Sequence, residues 1–429
     1  MEKYLQYAWQ HKLYPAGGLT DTAGNRVRVL SPGWINHDAG PDFFNAKVVI
    51  GSQEWAGNVE VHIKSSDWFR HHHDSNAAYD SVILHVVETA DTEVIRRDGA
   101  RIPQVEIPVT AQMRSFYERL EASGTTDLPC GSVICDLPQL YLTDWLTTLG
   151  FERLYQKTAR VEGLLRDTNY NWEETLYVLL ARGLGFGKNS DQFERLARSL
   201  PLSCVRKHRD DLTAIEAMLF GQAGFLEAIP DGNEYAVALR REYDFYERKF
   251  GLTRAAIAWQ TGRMRPQNMP YRRIALLASV LHHRPNLFSD ILGCEGVEDY
   301  GAIFRSRLSP FWSSNYSFAS WFEPDENQGQ ALSDASINTL IINVVVPLLH
   351  VYGSVYNKPS MSERAVELLE RMPAERNSQV TLLRSAGIKC CNSFESQACL
   401  QLRREYCEPR KCLYCRIGHR MLRKVTMSH

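Results

Sequence analysis

The chain is predicted to be an α+β protein with a small mixed N-terminal module, a large mostly α-helical body and a Cys-rich C-terminal tail. Three observations predict this. Short β-type runs with period-two alternation are confined to the first 110 or so residues. Long amphipathic segments at helical spacing take over after Pro108. Six of the ten cysteines fall between Cys390 and Cys415. The domains are therefore read as residues 1–110, 111–389 and 390–429.

In the first module, Tyr4, Leu5, Ala8 and Trp9 recur at helical intervals and predict an opening helix over residues 3–14, stopped by Pro15-Ala16-Gly17-Gly18. Strands are expected at Arg26–Leu30, Phe43–Ile50, Ala56–Ile63 and Ser81–Val87, giving helix, three strands, a short helical or irregular stretch and a fourth strand. Further on, helices are expected at Leu140–Arg166, Trp172–Arg182, Asp191–Leu200, Leu212–Leu219, Tyr235–Lys249, Tyr271–His282, Ile337–Leu349 and Ser362–Arg371. No fixed-period repeat supports a solenoid. Phe322–Gln330 reads as a surface loop.

Composition narrows the function classes. Lys plus Arg (49) and Asp plus Glu (50) nearly balance, so there is no bulk basic excess of the kind that marks a non-specific nucleic-acid binder. The N-terminus lacks the charged-then-apolar pattern of a secretory leader, which points to the cytoplasm. The best apolar run, Ile341–Leu349, is too short for a membrane span. Ten cysteines are too sparse for a secreted disulfide scaffold and are expected as thiols or metal ligands.

The densest polar cluster runs from Asn36 to His85. On an extended strand alternate side chains share a face, so Glu60, His62 and Lys64 project together while Val59, Val61 and Ile63 enter a core. A hairpin turning near Gly51 and Ser52 brings Asp42 toward Glu60, and two carboxylates make a hard-oxygen site for Mg2+ or Mn2+. Such an ion lowers the pKa of a bound water and stabilises charge on a phosphodiester, with His62 or Lys64 positioning the water or neutralising the phosphorane. Of His71-His72-His73, at most one or two are expected to line the cleft, with His71 and His73 the better pair if this stretch is extended. His85 stands mid-strand in an apolar run, where a satisfied core histidine competes with a site role.

The Pro41-Asp42 and Glu60-x-His62 arrangement, in this element order, resembles the PD-(D/E)xK nuclease superfamily over about the first 90 residues. The resemblance implies a restriction-endonuclease-like module with Asp42 and Glu60 as metal ligands, but His62 occupies the position where a lysine is usual, and Lys64 follows two residues later. Over nearly the whole chain the sequence also resembles a bacterial family known only as domain-of-unknown-function family 2851. That likeness rests on Gly40-Pro41-Asp42-Phe43, Gly57-x-Val59-Glu60-x-His62, Ser66-Asp67-Trp68, Leu84-His85-Val86-Val87, Leu219–Gly224, Arg263-x-Arg265-Pro266 and Cys412-Leu-x-Cys415-x-Ile417-Gly418.

In the tail, Cys407-x4-Cys412-x2-Cys415-x3-His419 has ligand spacing for structural Zn2+ or an iron–sulfur cluster, against the reading of ordinary reduced thiols. His419, Cys399 and Cys130 compete for the fourth position. Gly183-Leu-Gly185-Phe-Gly187-Lys188 follows a helix and lacks the Lys-Ser/Thr ending, so it is read as a turn between helices rather than a phosphate loop. Arg263, Arg265, Arg272 and Arg273 form a local basic patch, either paired within the protein or contacting a nucleic-acid backbone. The leading expectation is a divalent-metal-dependent nuclease acting on DNA or RNA, with Asp42, Glu60, His62, Lys64 and His85 in the site. A catalytically inactive nucleic-acid or protein-binding module and a small-molecule metallohydrolase are the alternatives.

Overall fold

Alternation of β-branched and polar residues in residues 26–64 forces the chain into paired strands that bury one side chain in two. In the computed structural model, which describes residues 1–14, 18–36, 39–109, 114–115, 118, 128, 130–230, 232–322 and 332–427, these strands open a seven-stranded mixed sheet. The element order is α1 (Glu2–Gln10), β1 (Leu19–Thr20), β2 (Arg26–Ser31), β3 (Trp34–Ile35), β4 (Phe43–Ile50), β5 (Gln53–Lys64), α2 (Asp67–Arg70), β6 (Val82–Thr89) and β7 (Gln104–Glu106). Spatial order is β1-β2-β4-β5-β6-β7, with β3 beside β4. The strands up to β5 pair antiparallel, whereas β5–β6 and β6–β7 are parallel. The sheet exceeds the four expected strands because β1, β3 and β7 are two or three residues long, too short to show a period.

The β4–β5 hairpin turns through Gly51 and Ser52, with Ile50 opposite Gln53. Gly51 has φ +62°, the left-handed region a tight hairpin turn requires. Near its other end the ladder bulges between Phe43 and Ala46. Asn45 takes φ +56° there and donates its N–H to Asn58 Oδ1 at 3.2 Å. A bulge re-aims the side chains beside it, and Asp42 stands just ahead of it. Helix α1 ends at Gln10, earlier than residue 14, with Lys12 at φ +53°.

The chain forms two compact units, Met1–Trp145 with Thr381–Ile388 and Leu402–His429, and Leu146–Val380 with Lys389–Gln401. The segment 390–429, set apart in the sequence as a tail, is divided: Leu402–His429 belongs with the sheet-bearing unit and Lys389–Gln401 with the helical one. The second unit is helical and buries a continuous apolar core that includes Leu180, Leu219, Phe220, Leu277, Trp312 and Leu348. Its helices follow the expected segments within a few residues, for example Trp172–Leu184, Glu234–Phe250 and Pro270–His283. The helix expected at Ile337–Leu349 is longer, Asp334–Val355, and is long and apolar enough to cross a bilayer; 61% of its apolar window is buried inside the fold. It carries a π-type turn at Ile341–Val345, just ahead of Pro347, whose ring cannot accept regular α geometry over the preceding turn.

Candidate metal centre on the sheet

Strand β5 places Glu60 and His62 on one face, as its period demands; Val59 and Val61 are fully buried. The strand's central position also buries the polar pair, with Glu60 5% and His62 2% exposed. Asp42 and Glu60 are joined reciprocally through the backbone. Glu60 Oε2 accepts from the Asp42 N–H at 3.0 Å, and Asp42 Oδ2 accepts from the Val61 N–H at 3.0 Å. Gln6 on α1 donates to Asp42 Oδ1 at 2.9 Å.

The parallel connection from β5 to β6 supplies the rest. Asp67 closes the turn out of β5 by accepting from the Lys64 N–H at 3.2 Å. Trp68 is anchored by its indole N–H to the Ile95 carbonyl at 3.1 Å. His72 adopts φ +59°, which turns the chain so that His71 and His73 both face His62. His71 Nδ1 lies 3.2 Å from His62 Nε2, and Glu60 Oε1 lies 3.5 Å from His62 Nε2 and 3.3 Å from His73 Nε2. One ligand atom from each of His62, His71 and His73 can be chosen so that all lie within 4.8 Å of one another. Tyr79 stacks on His73 at 3.7 Å between centroids, and Trp68 meets the rings of His73 and His85. His85 lies opposite Glu60 in the β5–β6 register, and its Nε2 is 2.9 Å from His62 Nδ1. A proton on His62 Nδ1, shared with His85, leaves the Nε2 lone pair facing Glu60 and His71. That is how an outer imidazole orients a metal-binding one.

Burial sets the protonation of the cluster. Burial, then the neighbouring Glu60, pushes the Asp42 carboxyl up to about 7; burial pushes Glu60 up to about 8. Burial, reinforced by the neighbouring imidazoles, pushes His62 down to about 2, and burial holds His85 down at about 3. His73 is lowered by burial as well. Neutral imidazoles and acids that resist ionising alone are released from strain by a divalent ion. The buried His73 Nδ1 has no hydrogen-bond partner among the described residues. Asp42, Glu60, His62, His71 and His73 therefore fit a mixed oxygen and imidazole metal site.

Other sequence-predicted residues stand elsewhere. Lys64 shares the strand face by period, but it is exposed and its charge acts on Asp91 at the end of β6. Arg272 and Arg273, 2% and 3% exposed, lie over the Tyr316, Phe322 and Phe186 rings, whereas Arg263 and Arg265 are exposed. Cys415 is buried, and Cys407 and Cys412 are half-buried. His419 turns toward the opening helix, where its Nδ1 hydrogen-bonds the Tyr7 hydroxyl and its ring packs against His11 at 5.1 Å. Gln6, Trp68 and Tyr79 were not among the expected site residues. They reach the site from α1 and the crossover, and no spacing in the sequence ties them to β5.

No curated protein and no solved structure matches the chain. A family model described as "Protein of unknown function (DUF2851)" matches residues 2–378, and the chain belongs to that family.

Proposed function

We propose that the protein is a divalent-metal-dependent phosphodiesterase acting on DNA or RNA, a nuclease of the cytoplasm, where its ten free cysteines would stay reduced. The observation that carries this reading is the buried Glu60 carboxylate, held between His62 and His73 and braced by the Asp42 amide. Asp42 and Glu60 would hold the ion with His71 and His73, while His85 keeps the lone pair of His62 directed inward. The ion would supply a water of lowered pKa and charge stabilisation at the phosphorus. An imidazole-rich set favours Mn2+ or another transition ion over Mg2+, which prefers oxygen ligands alone. Lys64, exposed beyond the cluster, is left to meet phosphate rather than to activate water.

Incubation of the full chain with Mn2+ and labelled single- and double-stranded DNA and RNA tests the reading. Cleavage abolished by Glu60→Gln is expected. Binding without cleavage in both proteins would replace the nuclease with a binding module. A second reading, a small-molecule metallohydrolase, is favoured by the depth of the cluster, where His71 is the exposed member of the histidine trio. Hydrolysis of a small phosphoester with every nucleic acid left intact would establish it instead.

A further inference from the structure

Four thiols that the sequence scatters over nearly 290 residues lie in the first unit, within electrostatic range of one another. Cys130 immediately precedes α3 (Gly131–Ile134). Cys407 ends the π-type turn Leu402–Cys407, Cys412 opens a 3-10 turn, and Cys415 precedes the C-terminal helix Arg416–Met427. Every pair among the four is electrostatically coupled. The loop that carries three of them is closed by backbone hydrogen bonds, Lys411 N–H to the Tyr406 carbonyl at 2.7 Å and Cys415 N–H to the Cys412 carbonyl at 3.2 Å. Gly418 completes it. A Cβ there would stand 2.1 Å from the Cys412 carbonyl oxygen, so only glycine allows this approach.

Burial pushes all four thiols above the ordinary range, and the groups beside them offset only part of that. Burial raises the Cys415 thiol, and the backbone of Ile417 and Gly418 in the first turn of the helix acts against that, because the helix start favours negative charge. Trp145, 5% exposed, adjoins the same sulfur. Its buried indole N–H has no conventional hydrogen-bond partner among the described residues. Arg403, 3% exposed, acts on Cys130 and Cys407, and Arg410 acts on Cys412. A cation and N–H donors around buried sulfur are the outer contacts that a metal-bound thiolate uses.

We propose that Cys130, Cys407, Cys412 and Cys415 form a four-thiolate metal centre that fastens residues 402–429 to the start of the helical segment at residue 130. Binding releases the thiol protons and leaves a net negative centre beside Arg403 and Arg410. His419 is left out of the set, since its Nδ1 is taken by Tyr7 and its ring packs against His11. Among the described residues, the donor group closed within 4.8 Å is the histidine trio. The four sulfurs make a looser frame than the separation of about 3.8 Å around one zinc ion with bonds of about 2.3 Å. An iron–sulfur core has atoms of its own between the thiolates and is the expected occupant. Zinc draws on the same four thiolates.

Full-length protein purified anaerobically without chelator is assayed for iron, acid-labile sulfide and zinc. Stoichiometric iron and sulfide with visible charge-transfer absorption is expected, falling by more than half in Cys412→Ser and unchanged in Cys135→Ser and Glu60→Gln. One equivalent of zinc with the same dependence on Cys412 also supports the four-thiolate centre. Less than about a tenth of an equivalent of either metal, or a content that Cys412→Ser leaves unchanged, overturns it. Should the variant misfold, alkylation of the folded wild-type chain decides. The four thiols are expected to be protected until a chelator is added, and equal labelling with and without chelator overturns the proposal. The Glu60→Gln arm keeps this result separate from the metal centre on the sheet.

Discussion

Glu216 in the helical unit and the cluster around Glu60 on the sheet are buried in opposite ways. In the helical unit, Glu216 is 1% exposed, yet its carboxylate is fully engaged by the Tyr235 hydroxyl and by Ser309 Oγ at 2.9 Å. On the sheet, Asp42, Glu60, His62, His73 and His85 are gathered in one place with more ligand atoms than hydrogen-bond donors to occupy them. A lone buried acid with two hydroxyl partners is a piece of architecture. Clustered acids facing neutral imidazoles are the arrangement on which the proposed metal site rests. Burial alone therefore does not identify function; the ratio of acceptors to donors does.

The comparison breaks first at Glu60. Glu60→Gln keeps the shape and the hydrogen bond to the Asp42 amide but removes a ligand charge, and is expected to lower metal-dependent cleavage at least about 100-fold. Its melting temperature without added metal should stay within a few degrees of wild type, since a neutral side chain relieves the repulsion with Asp42. Unfolding instead would move Glu60 into the architectural class. Glu216→Ala should do the reverse. It strands the buried Ser309 hydroxyl and the half-buried Tyr235 and leaves a cavity, costing about 2–4 kcal/mol by chemical denaturation, with activity per folded molecule unchanged.

A gentler substitution sharpens the same contrast through pH. Burial pushes the Glu216 carboxyl up to about 7, from 4.5 in the unfolded chain. Between these values the folded state holds the extra proton, so this group's contribution to stability falls as pH rises from about 4.5 to 7. Glu216→Gln mimics the protonated form and should remove that slope. The gap between variant and wild type in denaturation midpoints should therefore shift in the variant's favour from pH 5 to pH 8, and a constant gap would refute the assignment. The smallest effect is expected at Lys64. Exposed and apart from the cluster, Lys64→Ala should change the rate constant for cleavage less than about threefold, whereas a loss matching that of Glu60→Gln would return Lys64 to the centre.

How much of this was legible followed the range of the interactions. The period-two pattern of residues 59–64 exposed the shared face of Glu60 and His62, and Gly51-Ser52 gave the hairpin that sets Asp42 near it, because both signals are local. The α+β class and most helices of the body were readable for the same reason. Tyr79 and Gln6 carry no such signal, since only the crossover and α1 packing bring them in. His71 and His73 were legible as a pair but not their convergence on His62, which depends on His72 taking a left-handed turn. The spacing Cys415-x3-His419 suggested a pair of ligands. The helix begins only at Arg416, however, so Cys415 lies outside it, and His419 points to Tyr7 instead.

The most direct test of the central claim is anomalous diffraction at the manganese absorption edge from crystals soaked in Mn2+. The account predicts a peak within bonding distance of Glu60 and at least two of His62, His71 and His73, absent from Glu60→Gln crystals. A clean map at these side chains, with the protein intact and manganese bound elsewhere or nowhere, would contradict it.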